Sequence, residues 1–109
     1  MTEWRDIVNY EGVYQISNEG VVARLGPNTG RRQPLKPQNN QGYHMVRLSL
    51  RGEVSNKFIH RLVASAFVDG EEEGLDVNHK DLDTSNNNDW NLEWLTRDQN
   101  INHYWGNSY

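Results

Sequence analysis

The 109-residue sequence has no cysteine. This excludes disulfides and thiolate zinc sites, and it fits a reducing compartment, so a cytoplasmic setting is expected. No apolar run approaches the ~20 residues that a membrane-spanning helix requires, and no membrane partner is expected. The opening "MTEWRDIVNYEG" lacks the basic-then-apolar pattern of a secretory signal. Apolar side chains make up only 35% of the chain, but four Trp and five Tyr are among them, so the core is expected to lean on aromatics. The length suits one domain with a modest core.

A net charge of −4 taken alone argues against a polyanionic partner, but the distribution is uneven. Residues 1–60 carry eight Lys/Arg against five acids, and residues 61–109 carry three against ten. A mildly basic front and an acidic rear suit a chain that meets a polyanion with one part and a cation with the other. Ordinary solvated faces would read the same way.

Regular structure is expected in short pieces. "VYQIS" and "VVARL" flank "NEG", a turn whose glycine suits positive φ, and read as a hairpin. Residues 26–42, "GPNTGRRQPLKPQNNQG", hold all three prolines and read as loop or extended chain. "YHMVRLSL" alternates, with Val46 and Leu48 on its apolar face, and "NKFIH" is its expected return strand after a turn at "RGEVS". "HRLVASAFV" spaces Leu62, Val63, Ala66 and Phe67 as an amphipathic helix. The rear third reads strand ("LDVNHKD"), Asn-rich loop, strand ("NLEWLT") and a terminal helix over 97–106 capped by Thr96. Trp4, Tyr10, Tyr14, Trp90, Trp94 and Trp105 are expected in the core, and His44 as a packing residue.

The loop "KDLDTSNNNDW" makes a poor helix and a poor strand, because Asn and Asp favour local side-chain-to-backbone hydrogen bonds. Polar residues gather at its junctions. If the flanking strands pair and the helix crosses them, Asn78, His79 and Asn100 converge: one imidazole beside two amide oxygens. His is the side chain that accepts a proton near neutral pH. Arg24, Arg31, Arg32, Lys36, Arg47, Arg51 and Lys57 are the candidate phosphate contacts.

The blocks "HRLVASAF", "VNHKDLDTSNN" and "NLEWLTRDQN", in this order, resemble the HNH endonucleases of phages and mobile introns, which carry the ββα-metal fold. The front half, "EWRDIVNYEGVYQISNEGVVARL", is similar to the small nuclease-associated module that often precedes that domain. The resemblance implies an α+β protein, with a β-rich module at 1–52 and a ββα-metal nuclease core at 53–109. It implies His79 as general base and Asn91 as the middle asparagine that holds loop and histidine in register. It also implies Asn78 and Asn100 as ligands of a single Mg²⁺ or Mn²⁺, and products with 5′-phosphate and 3′-hydroxyl ends.

Two departures stand out. Asn78 replaces a frequent Asp, which weakens the metal site, and Leu82 stands where relatives often have Gly. Lacking cysteine, the loop must be held by Asn and Asp hydrogen bonds. His103 competes with Asn100 for the third position of the motif, His60 is either structural or DNA-contacting, and Asp81 and Asp83 are offered as indirect supports through water. The expected function is metal-dependent cleavage of double-stranded DNA, with a homodimer as one route to cutting both strands. The alternative is a catalytically inactive HNH-fold protein that binds nucleic acid or a protein partner.

Overall fold

The computed structural model describes the backbone of residues 1–104 and the side chains of residues 1–101. Four antiparallel strands, β1 (Trp4–Asp6), β2 (Tyr14–Ser17), β3 (Val22–Leu25) and β4 (Arg32–Pro34), form the first sheet in chain order. A second sheet contains β5 (Gln38–Asn40), β6 (Tyr43–Leu50) and β7 (Glu53–Phe58), and leads directly into α1 (Ile59–Phe67). The rear unit pairs β8 (Asp76–His79) with β9 (Leu92–Leu95) and ends in α2 (Arg97–Tyr104), which packs on both strands. This is the α+β architecture expected, with a ββα unit at the rear.

One apolar cluster joins the three parts. Ile16, Leu48, Ile59 and Leu92, from β2, β6, α1 and β9, are each at most 2% exposed. Burying a side chain of this size contributes roughly 1.5–3 kcal/mol, so the front module and the rear unit stabilise each other through α1. Polar ties fix the geometry. The Tyr14 hydroxyl accepts from Ser49 N at 3.0 Å and faces Ser49 O at 3.2 Å, stitching the first sheet to the second. Arg61 reaches the Asp76 carboxylate at 3.4 Å and so holds α1 to the start of β8. The indole of Trp94 donates to Val68 O just past α1.

Several expectations need correction. The proline-bearing stretch 26–42 contributes two three-residue strands, β4 and β5, at sheet edges. Pro34 ends one of them, where a missing N–H breaks no inner ladder. The return strand begins at Glu53, because Arg51 and Gly52 alone, at φ 52° and 83°, make the two-residue hairpin turn. It ends at Phe58, and Ile59 and His60 already belong to α1. The expected division at 52/53 therefore lies in the turn of a hairpin paired over six positions. Tyr14, Tyr10 and Trp94 join or border the core, but Trp90 is 66% exposed at the end of the polar loop. Trp105 lies outside the described residues.

Candidate active site

Pairing of β8 with β9 sets Asn78 opposite Glu93 and His79 opposite Leu92. Between the strands, residues 80–91 fold through side-chain-to-backbone bonds two residues long, the habit of Asp and Asn in turns. Asp81 Oδ1 accepts from Asp83 N at 2.8 Å, and Asp83 Oδ1 accepts from Ser85 N at 3.0 Å and from the Ser85 hydroxyl at 2.6 Å. These bonds favour the ionised carboxylates. The Asn86 amide, then the Asp83 N–H, holds Asp81 below the usual carboxylate range, and Ser85 does the same to Asp83.

Asn91, 1% exposed, closes the loop. Its Oδ1 accepts from Asp81 N at 3.1 Å, its Nδ2 donates to Asp81 Oδ1 and Asn86 O, both at 2.9 Å, and its carbonyl accepts from Lys80 N at 2.8 Å. The side chain is spent on the loop, so its role is to position. The loop is thus held by Asn and Asp hydrogen bonds, as the absence of cysteine requires.

His79 is 4% exposed, and its Nε2 lies 2.8 Å from Oδ1 of Asn87, itself 5% exposed. An amide oxygen can only accept, so Nε2 carries the hydrogen and Nδ1 is the ring nitrogen left as a base. Asn78 donates from Nδ2 to Glu93 Oε2 at 2.8 Å, which commits its nitrogen end and leaves Oδ1 as the end able to meet a cation. Asn100 rides on α2, whose start is a reciprocal cap: Gln99 N donates to the Thr96 hydroxyl and Thr96 N to Gln99 Oε1. Asn78, His79 and Asn100 line one cleft of about 220 Å³, together with Tyr43, Leu82, Thr84 and Ile101.

Two amide oxygens and an open cleft fit a hard divalent ion that keeps several waters, as Mg²⁺ does. Glu93, hydrogen-bonded to Asn78, would hold that amide in place and add negative charge behind a bound ion. Among the described residues, no group of three His, Cys, Asp or Glu side chains could hold a metal by itself. Asp81 and Asp83 do not line the cleft; their oxygens are engaged in the loop's own bonds. Any part they have in the site is therefore indirect, through the loop they hold.

His60 is 8% exposed, with its ring 5.2 Å from that of His79, 5.3 Å from Tyr43 and 5.4 Å from Phe58. It packs behind the site, and its Nδ1 is buried without a partner. Burial first, then His79 and Arg61, lowers its pKa from 6.5 to about 4. His103 lies outside the residues whose side chains are described.

The seven candidate phosphate contacts are all exposed, but the structure does not gather them. Arg51 and Lys57 share a cleft of about 880 Å³ between β7, α1 and the start of the chain. Arg24 lies over the Tyr14 ring, while Arg32 bonds Gln15 and lies over Trp4, so these two occupy opposite faces of the first sheet. Arg31 and Lys36 flank the same edge strand, and Arg47 is on the outward side of β6.

Sequence reasoning missed two site residues. Glu93 follows from the β8–β9 register, once Asn78 is placed. Nothing in "SNNND" distinguishes Asn87 from its neighbours.

Two known families match the two parts of the chain. Residues 3–49 match the NUMOD4 motif and residues 57–101 match the HNH endonuclease family. The chain carries an HNH endonuclease domain behind a NUMOD4 motif. Over 100 residues, 91% of its length, it is 43% identical to DNA endonuclease I-HmuI of Bacillus phage SP01, and spans 55% of that protein. It is 35% identical over 103 residues to HNH endonuclease L245 of Acanthamoeba polyphaga mimivirus, covering 94% of this chain and 30% of that one. A structure of DNA binding and cleavage by the HNH homing endonuclease I-HmuI superposes with a TM-score of 0.86 at 41% identity, over 98% of this chain and 61% of the other. The HNH domain thus occurs here in a chain spanning about half, or less, of these relatives.

Proposed function

We propose that this HNH protein hydrolyses phosphodiester bonds of double-stranded DNA in a divalent-metal-dependent reaction, with His79 as general base. The observation that carries the reading is the His79–Asn87 bond: it fixes one ring tautomer in a cleft that also holds the Asn78 and Asn100 amides. Neutral His79 takes a proton from water at Nδ1 while Nε2–H stays with Asn87, and the water attacks phosphorus in line. When bound, an ion such as Mg²⁺ or Mn²⁺, held by Asn78 Oδ1 and Asn100, supplies charge neutralisation at the phosphate and the leaving 3′ oxygen. Glu93 keeps Asn78 turned toward that role, and Asn91 keeps the loop closed behind His79. Products are expected to carry 5′-phosphates.

The relationship to a DNA endonuclease over nine-tenths of the chain supports the substrate class. Arg51 and Lys57 are the phosphate contacts we favour, because they share one cleft. The test is supercoiled-plasmid cleavage with Mg²⁺, Mn²⁺ or EDTA. Metal-dependent cutting is expected, with His79→Ala slower by roughly 10²–10⁴-fold. A folded wild type that leaves plasmid intact in every metal would instead favour the inactive, binding-only reading.

A further inference from the structure

The residue that orients His79 is itself braced by the front module. Asn87 sits against the β2–β3 turn, and Gly20 in that turn, at φ 87°, lies so close that an added Cβ would stand 2.9 Å from Asn87 Cβ and 3.2 Å from Asn87 O. Neither atom is the free end of a flexible side chain, so any side chain at position 20 must push the turn and the backbone of residue 87 apart. Two residues away on each segment, Asp89 N donates to Asn18 O at 2.8 Å, a second tie between turn and loop.

The turn is stiff. Ser17, fully buried, accepts from Val21 N at 3.0 Å and Glu19 N at 3.3 Å through its hydroxyl, and Gly20 N donates to Ser17 O at 3.1 Å. Asn18 is pinned in turn by the chain start, accepting at Oδ1 from Glu3 N at 2.9 Å and donating from Nδ2 to Met1 O at 3.1 Å.

We infer that the β2–β3 turn of the front module positions the catalytic imidazole, through the contact of Gly20 with Asn87 and the bond of Asn87 to His79. This adds to the DNA-cleavage reading and rests on it for the word catalytic. It makes Gly20 a positioning residue on a different module from the site it serves, and the front module a part of the catalytic apparatus as well as any grip on DNA. The contact chain Gly20–Asn87–His79 has no slack: its links are a van der Waals contact against backbone and a hydrogen bond between buried groups.

The test compares Gly20→Ala with Gly12→Ala in the full chain. Gly12 has φ 78° in the same module, but an added Cβ there meets nothing within 4 Å. The two variants therefore share backbone strain and differ in the contact with Asn87. The first readout is the His79 Nε2–H signal in ¹H–¹⁵N spectra of the histidine side chains, which needs no catalysis. Gly20→Ala is expected to shift or broaden it as Asn87→Ala does, and Gly12→Ala to leave it in place.

The second readout is plasmid cleavage in Mg²⁺ at saturating protein. Gly20→Ala is expected to slow cutting by about 10- to 100-fold, with DNA affinity retained and Gly12→Ala at the wild-type rate. In an Asn87→Ala background, adding Gly20→Ala should cost little more, because the link is already cut. An unmoved His79 signal in a folded Gly20→Ala protein overturns the inference. So does equal loss in both glycine variants, or full additivity with Asn87→Ala. If wild type does not cut DNA but Gly20→Ala still moves the His79 signal, the positioning holds and the cleavage reading fails.

Discussion

His60 shows how burial behind the site sets a residue's protonation. In the unfolded chain it takes a proton as pH falls below 6.5, whereas in the folded protein it stays neutral until about 4. Between these values the unfolded state binds more protons, so stability rises with pH: the contribution is whole above 6.5 and lost on acidification toward 4. A shift of this size corresponds to about 3 kcal/mol. The loop carboxylates Asp81 and Asp83 act lower, their stabilisation present above 3.8 and lost as pH falls through their depressed values. Urea midpoints measured from pH 7 to 4.5 should therefore fall steeply in wild type and much less in His60→Gln; equal slopes would sink this account. Leu82 is the other residue that folding constrains. It sits at φ 66° with its side chain 51% exposed at the cleft. A left-handed leucine costs roughly 1–2 kcal/mol, and glycine returns about 0.5–1 of that as lost chain entropy. Leu82→Gly is expected to raise the thermal midpoint by a few degrees; an unchanged or lower midpoint would show that the exposed leucine packs better than its exposure implies.

The polar loop is an element that supplies its own scaffold. Most loops borrow order from the parts they connect, but this one has Asp81, Asp83, Asn86 and Asn91 bonding back to its own chain. Asn91 is its keystone because it bonds both limbs, at Asp81 and at Asn86. Asn91→Ala leaves the Asp81 N–H and the Asn86 carbonyl short of a partner, at about 1–3 kcal/mol for each group left buried. The expected result is a loss of about 2–4 kcal/mol in urea unfolding, with new protease cleavage confined to residues 80–90. Cleavage at scattered sites would mean that the loop and the core unfold together. The same construction explains why His79 can be almost fully buried on a strand that ends in a loop: Lys80 N is tied to Asn91 O directly after it.

Across the whole molecule, 55 × 31 × 24 Å in extent, the front β module and the rear ββα unit share one core joined through α1. Among the described residues a single cleft gathers Asn78, His79 and Asn100, so on the proposed cleavage reading one engagement would cut one strand of a duplex. Plasmid digests at low protein concentration are expected to accumulate open circles, with linear product lagging and rising with protein concentration. Linear product appearing first would instead mean that two copies act together on opposite strands. The described helices include none long and apolar enough to cross a membrane.

Much of this was legible along the chain. The hairpin around "NEG", the alternation of β6, the stripe of α1 and the strand–loop–strand–helix order of the rear all depend on neighbours within a few residues, where side-chain period and turn chemistry act. The order of the "NHKD", "NN" and "NLEW" blocks pointed to His79, Asn91, Asn78 and Asn100, and three of these line one cleft. What the sequence could not decide was which of several identical side chains meets a distant partner. Three adjacent asparagines, 86 to 88, read alike, yet only tertiary packing puts Asn87 on His79 and against Gly20. Trp90 reads as core and lies outside, because a 3-10 turn at Asp89–Asn91 points Asn91 inward instead. Local pattern determined the elements, and the resemblance of the ordered blocks to a known family implied the kind of chemistry. The fold decided which groups are held rigid, because contacts between residues 20 and 87 exist only once three sheets have packed on one core.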